Sequence, residues 1–201
     1  MTASDRRAQL LDIALNFFSQ KGFDSTTTKE IAAAAGVTEA IVFRHFPSKQ
    51  ALYRAVLEQQ SDCPGFRRWM EEARQRMERN DDEGLMQAIA EAVLEQYRTD
   101  PRMERLMLFA ALEGQETALN HYRRFAIPIY ELFRDYIVRR QNEGGLVAFQ
   151  PAAIISAIAG MAQRYALSTR LFGFPSELSD EEAVDTFTRI LMNGIKPRTT
   201  K

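Results

Sequence analysis

Residues 26–53 read TTTKEIAAAAGVTEAIVFRHFPSKQALY, and the fold is decided in this stretch. Thr27 followed three residues later by Glu30 is a capping box, in which hydroxyl and carboxylate satisfy each other's backbone N–H groups at a helix start. The spacing predicts a helix over 28–35. Gly36 breaks it. Thr38 is placed to cap a second helix running to about Phe46, which Pro47 stops. Ser48 is placed to cap another, beginning at Lys49. At 100° per residue, Val42 and Phe46 lie within about 40° of each other and mark the buried side of the short middle helix. Arg44 points the opposite way, flanked by Ala40 and Ile41, with Phe43 and His45 on the shoulders.

A short helix with a basic residue outermost, joined through a Gly turn to the helix before it, has the construction of a helix-turn-helix. Ile31, Ala32, Val37, Val42 and Phe46 are the apolar residues that would hold its two helices at a fixed angle. Arg bonds guanine edges or a phosphate, and Ala and Ile pack on a thymine methyl. The helix starts at Thr27 and Lys49 present unpaired N–H groups, which suit phosphate. The candidate DNA contacts are therefore Thr26, Thr27, Thr28, Lys29, Thr38, Glu39, Ala40, Ile41, Phe43, Arg44, His45 and Lys49. Anchoring falls to the Thr, His and Lys donors, and specificity to Arg44 and its neighbours. Periodicity alone leaves a plain amphipathic hairpin open.

Upstream, Ser4 or Asp5 is placed to cap a helix with the stripe Leu10, Ala14, Phe17 and Phe18, ended by Gly22. Downstream, Cys63-Pro64-Gly65 reads as a breaker. Helices are then expected at about 66–78, 85–98, 101–113 and 116–143, with the loop 80–84 between the first two. Pro128 should kink or divide the last of these. A further helix runs from Pro151 to about Phe172. Ser179 with Glu182 is a second capping box, opening a helix to about Ile195. No β-type alternation, repeat or low-complexity run appears. The fold class is all-α: a three-helix N-terminal domain (residues 1–52) and a larger helical domain (53–201).

The 201 residues carry 45% apolar side chains and a net charge of −1, which excludes a polybasic tail. Residues 1–55 hold seven Lys/Arg against five Asp/Glu, the remainder nineteen against twenty-two. One cysteine precludes an intramolecular disulfide and fits a reducing cytoplasm. The N-terminal residues scatter charge through their apolar positions, unlike a secretory signal, and no run approaches a membrane span. A cytoplasmic protein without membrane partners is expected.

The stretch GFDSTTTKEIAAAAGVTEAIVFRHFPSKQALY resembles the DNA-binding domain of the TetR/AcrR family of transcriptional regulators. The matching residues are Gly22, Phe23, Thr26, Thr27, Glu30, Ile31, Ala32, Ala35, Gly36, Val37, Thr38, His45, Phe46, Ser48, Lys49 and Leu52. Two positions depart: Ala40 stands where the family has Gly, and Phe43 where it has Tyr. The resemblance implies phosphate contacts at Thr27, His45 and Lys49. Phe43, lacking a hydroxyl, is left to pack on sugar or base.

One helix-turn-helix reads few base pairs, so dimers on palindromic sites are the rule. Residues 152–162, AAIISAIAGMA, are apolar nearly all round, with Ala153, Ala157 and Gly160 as a small-residue face. The last helix carries Phe187, Ile190 and Leu191. The resemblance implies that these two helices pair with their copies in a four-helix bundle; intrachain core is the other reading of the same residues. It also implies a mostly apolar pocket for a small-molecule effector, hydrophobic or aromatic. The candidate lining is Trp69, Met70, Met107, Glu113, His121, Tyr122, Phe125, Met161 and Tyr165, any of which also suits ordinary core.

Enzyme chemistry has little to work with. There is no phosphate-cradling Gly motif, HExxH or CxxC, and only two histidines and one cysteine. No catalytic residue, metal site or cofactor is expected. A helical interaction module that never touches DNA is the alternative reading.

Overall fold

The computed structural model describes residues 2–61 and 64–197; Cys63 lies outside them. Among these residues the elements are α1 (Ala3–Lys21), α2 (Thr28–Ala34), α3 (Glu39–His45), α4 (Lys49–Ser61), α5 (Pro64–Glu78), α6 (Asp82–Thr99), α7 (Arg102–Glu113), α8 (Glu116–Asn142), α9 (Pro151–Ala166) and α10 (Asp180–Ile195). The all-α expectation holds. Backbone proximity divides the chain into two compact units, residues 1–63 with 100–125, and residues 64–99 with 126–201. A boundary after residue 52 does not coincide with this division. Tyr53, Val56 and Leu57 of α4 and Leu106 and Ala110 of α7 belong to the same buried core as α1 to α3.

In the first unit, α1 buries Leu10, Leu11, Ala14, Leu15 and Phe18 against Ile31, Ala32, Val42, Phe46, Leu52 and Tyr53. The rings of Phe18 and Tyr53 meet edge to face at 4.9 Å, and Phe23 lies 4.9 Å from Tyr53. Thr2, rather than Ser4 or Asp5, caps α1. Its hydroxyl accepts from Asp5 N–H and the Asp5 carboxylate accepts from Thr2 N–H. Asp5 thus serves three positions into the box, where a carboxylate meets the positive end of the helix.

In the second unit, α6 and α9 run through the core with α10, and Phe133, Tyr136 and Ile137 of α8 fill it. Pro64 and Gly65 do not break the chain but open α5, Pro in the first turn where its missing N–H costs nothing. The expected loop 80–84 is shorter: Asp81 Oδ1 accepts from Gly84 N–H at 2.9 Å, so α6 begins at Asp82. Pro128 sits inside a continuous α8, and the division between the units falls beside it, at Phe125–Ala126. The stretch after Ala166 is not α-helical as expected. Leu167–Leu171 form a π-helical turn, Phe172 N–H donating to Leu167 O at 3.0 Å.

Candidate nucleic-acid interface

α2, α3 and the turn between them are fixed from three directions. Gly36 takes φ +66, the left-handed turn that closes α2, and Val37 N–H returns to Ala32 O at 3.0 Å. Val42 is fully buried and Phe46 nearly so, pinning the inner face of α3. Thr28 is buried and its hydroxyl donates to Glu39 Oε1, tying the start of α3 to the start of α2. The Thr27–Glu30 capping box forms as expected, with Thr27 N–H donating to Glu30 Oε2 at 2.9 Å. Lys21 closes on Glu30 at 2.6 Å. The Lys21 ammonium, and then the Thr27 hydroxyl and N–H, pull the Glu30 carboxyl down to about 2.

This frame leaves one face outward. Thr38, Ala40 and Arg44 are exposed, Phe43 is 43% exposed, and Ile41 and His45 are half-buried on the flanks. The expected direction of α3 is thus present, Arg44 outward and Val42 and Phe46 inward. Thr27 and Lys29 stand exposed at the start of α2.

Three expected contacts have other work. Thr26 is fully buried and its hydroxyl donates to Gly22 O at 2.7 Å, so it closes the loop before α2. Thr28 and Glu39 are spent on each other, Glu39 lying on the shoulder of α3 nearest Val42. Thr38 makes no side-chain cap, contrary to expectation; α3 starts on the backbone bond Ile41 N–H to Thr38 O, 3.0 Å. Lys49 is half-buried, its ammonium 4.2 Å from the centroid of Phe23 and 3.4 Å from Asp24 O. Burial lowers its pKa, against the pull of the Asp24 and Glu113 carboxylates. Two basic residues outside the expected set also reach this unit. Arg6 Nη1 donates to Ala35 O at 3.2 Å, at the end of α2, and the exposed Arg7 guanidinium lies 5.0 Å from the Phe46 ring centroid. Their only sequence signal was a pair of charges one turn before the Leu10 stripe.

The nine candidate pocket residues are divided between the two units. Met107 packs on the core of the first unit, and Tyr122 is 54% exposed. His121 and Phe125 are half-buried in that unit; burial, then the Arg124 guanidinium, lowers the His121 pKa. Glu113 is turned toward the loop after α1, where its Oε2 accepts Phe23 N–H at 2.9 Å. In the second unit, Trp69 packs on Phe133 and donates to Ala88 O at 2.8 Å, with Met70 half-buried nearby in sequence. Met161 and Tyr165 line an open groove of about 530 Å³, with Gly160, Phe174 and Phe187. Of the dimer candidates, Ala153 and Gly160 are exposed, Ala157 and Phe187 half-buried, and Ile190 60% exposed. Leu191 is 9% exposed and packs within its own chain's core.

Residues 10–56 match the family described as bacterial regulatory proteins, tetR family. The HTH-type transcriptional regulator RutR of Escherichia coli (strain K12) is 29% identical over 97% of this chain and 92% of its own length. Among solved structures, NalD, the secondary repressor of the MexAB-OprM multidrug efflux pump in Pseudomonas aeruginosa, aligns with TM-score 0.68 at 20% identity, covering 98% of this chain and all of NalD. A transcriptional regulator from Saccharomonospora viridis in complex with choline aligns with TM-score 0.72 at 16% identity, over 97% and 100% of the two chains. An outward basic helix on a buried helix-turn-helix frame defines a DNA-binding transcriptional regulator rather than an enzyme. Residues 10–56 carry the signature of the TetR family of such regulators. No helix among the described residues is long and apolar enough to cross a membrane.

Proposed function

We propose that the protein is a repressor that binds a palindromic operator as a homodimer and leaves it when a small hydrophobic or aromatic effector binds. Residues 1–52 supply the DNA contacts, and residues 53–201 supply regulation and pairing. The observation that carries the reading is the division of α3 into a fully buried Val42 side and an exposed Thr38–Ala40–Arg44 side. With α3 in the major groove, Arg44 reads base edges, Ala40 and Ile41 pack on them, and Thr27 and His45 hold phosphates.

Pairing is supported by the outer sides of α9 and α10. Ala153 and Gly160 offer close backbone approach, and Ile190, 60% exposed, is a large aliphatic side chain left in water. Exposed Phe172 and Phe174 lie in the loop between these helices. Release follows population shift: the effector must bind the arrangement that does not fit DNA more tightly than the one that does. NalD, whose fold is similar, represses a multidrug efflux pump, which accords with repression relieved by apolar compounds.

Selection of bound sites from random duplex tests the reading at once. Two inverted half-sites a fixed spacing apart are expected, with binding that weakens steeply as salt rises. Enrichment of no sequence, or salt-independent binding, would overturn it.

A further inference from the structure

The sequence places Glu113 among the groups that orient an effector. The structure places its carboxylate at the base of the DNA-reading frame. Oε2 accepts Phe23 N–H at 2.9 Å. The other oxygen lies 2.0 Å from where a Cβ on Gly22 would stand, and Gly22 has φ +80. A side chain at residue 22 would be strained by this φ and would push the carboxylate out of the room that glycine leaves.

The same α7–α8 turn makes two further bonds. Gln115 Nε2 donates to Asp24 Oδ1 at 2.9 Å, and Thr117 Oγ1 accepts from Gln50 Nε2 of α4 at 2.6 Å. Two consecutive positions of the loop after α1, Phe23 and Asp24, and Gln50 of α4 are thus held by one turn. From there the bonds continue toward α3. Thr26 closes the loop on Gly22 O, Thr27 caps α2, and Thr28 of α2 holds Glu39 of α3.

We propose that Glu113 is a positioning residue for DNA reading: its carboxylate fixes residues 22–27 and through them the angle at which α3 is presented. It touches no base; it sets where Arg44 and Ala40 arrive. The inference rests on α3 being the DNA-contacting helix. It differs from a general stabilising role, because the bonds run to the one loop that leads into α2 rather than to the core beneath it.

The test uses the full chain and three variants, Glu113→Ala, Glu113→Gln and Gln115→Ala. Each is titrated at fixed salt against the duplex recovered by selection and against an unrelated duplex of equal length. Non-specific binding responds to cations and not to the angle of one helix. Glu113→Ala should weaken the selected duplex about ten-fold or more, the loss of one charge-assisted bond, and leave the unrelated duplex within about two-fold. Glu113→Gln keeps an oxygen that accepts Phe23 N–H and should recover most of that loss. Gln115→Ala should give a smaller loss, again on the selected duplex alone. Hydrogen exchange reads the hook without DNA: the Phe23 amide should be protected in the wild type and exchange faster in Glu113→Ala. Equal losses on both duplexes, or an unchanged affinity ratio with a faster Phe23 amide, would overturn the positioning role. A wild type that discriminates between no duplexes overturns the reading face itself, and the Phe23 amide then still shows whether the hook exists.

Discussion

Removing the carboxylate of Asp82 should destabilise the second unit by about 3 kcal/mol. Asp82 opens α6 and is 9% exposed. Arg140 of α8 grips it with two parallel bonds, Nε to Oδ1 at 2.8 Å and Nη2 to Oδ2 at 2.9 Å, and the buried Tyr136 hydroxyl donates to Oδ1. Burial and this bond push the Tyr136 hydroxyl above its ordinary pKa, so it stays a donor at every physiological pH. Asp82→Ala strands that hydroxyl in a site 4% exposed, at a cost of about 1–3 kcal/mol. It also leaves a guanidinium whose side chain is only 15% exposed. Breaking a buried pair from one side costs about 3–5 kcal/mol. Arg140 keeps Glu143 at 2.7 Å, which places the total at the lower end of that range. For a chain of this length, about 3 kcal/mol corresponds to a Tm lower by about 6–12 °C. Trp69, the sole tryptophan, lies against α6 through its bond to Ala88 O, so its emission during a thermal ramp reports this unit. A double-mutant cycle with Arg140→Met separates the pair from the rest of the site. A Tm within about 2 °C of wild type for Asp82→Ala, or additive losses in the cycle, would show that the network is solvated in solution and the reasoning mistaken.

Arg44→Ala should relax base preference by about 1–3 kcal/mol at one position per half-site while weakening non-specific binding little, read by repeating the site selection; an unchanged preference removes Arg44 from the reading face. Ile190→Glu should give a monomer in light scattering at micromolar concentration with little change in Tm, because the side chain is already 60% exposed; a persistent dimer relocates the interface. Glu30, held down to about 2 from an ordinary 4.5, contributes stability that is present above pH 4.5 and lost as pH falls toward 2. The Tm advantage of wild type over Glu30→Gln should therefore fade across that window, and an advantage that persists at pH 2 would mean the charge is not its source.

What the sequence disclosed well were positions with local chemistry. The Thr27–Glu30 and Ser179–Glu182 boxes form as read, because a capping box involves only residues three apart. Gly36 and Pro47 end their helices for reasons internal to the backbone. The inward side of α3 followed from period alone. What the sequence did not disclose depends on partners far along the chain. Glu113 meets Phe23 across ninety residues, and no local pattern separates that from a carboxylate facing a ligand. Thr26 and Thr27 are adjacent and chemically identical, yet one is fully buried on Gly22 O and the other exposed. Ile190 and Leu191 likewise sit on one apolar stripe, and only the packing of α6 and α9 against α10 decides which is covered. Periodicity gives the direction of a face and not the identity of what lies against it.

The two departures from the family pattern can now be placed. Ala40 is exposed and Phe43 is 43% exposed, while the buried residues around them, Val42 and Phe46, follow the expected pattern. The frame that orients α3 is therefore untouched, and both changes fall on its outward side. At 40, alanine in place of glycine favours the helix by about 1 kcal/mol and adds a methyl to the surface. A seven-residue helix has little stability of its own, so this matters to a reader that must be formed before it docks. At 43, a phenyl ring in place of a phenol cannot donate to a phosphate but still offers an apolar edge. On the proposed reading, affinity then rests more on Arg44 and His45, and discrimination on how closely Ala40 lets α3 settle. A protein built this way should tolerate a change at Phe43 to another aromatic more easily than any change that widens residue 40, because the first alters one contact and the second moves the helix.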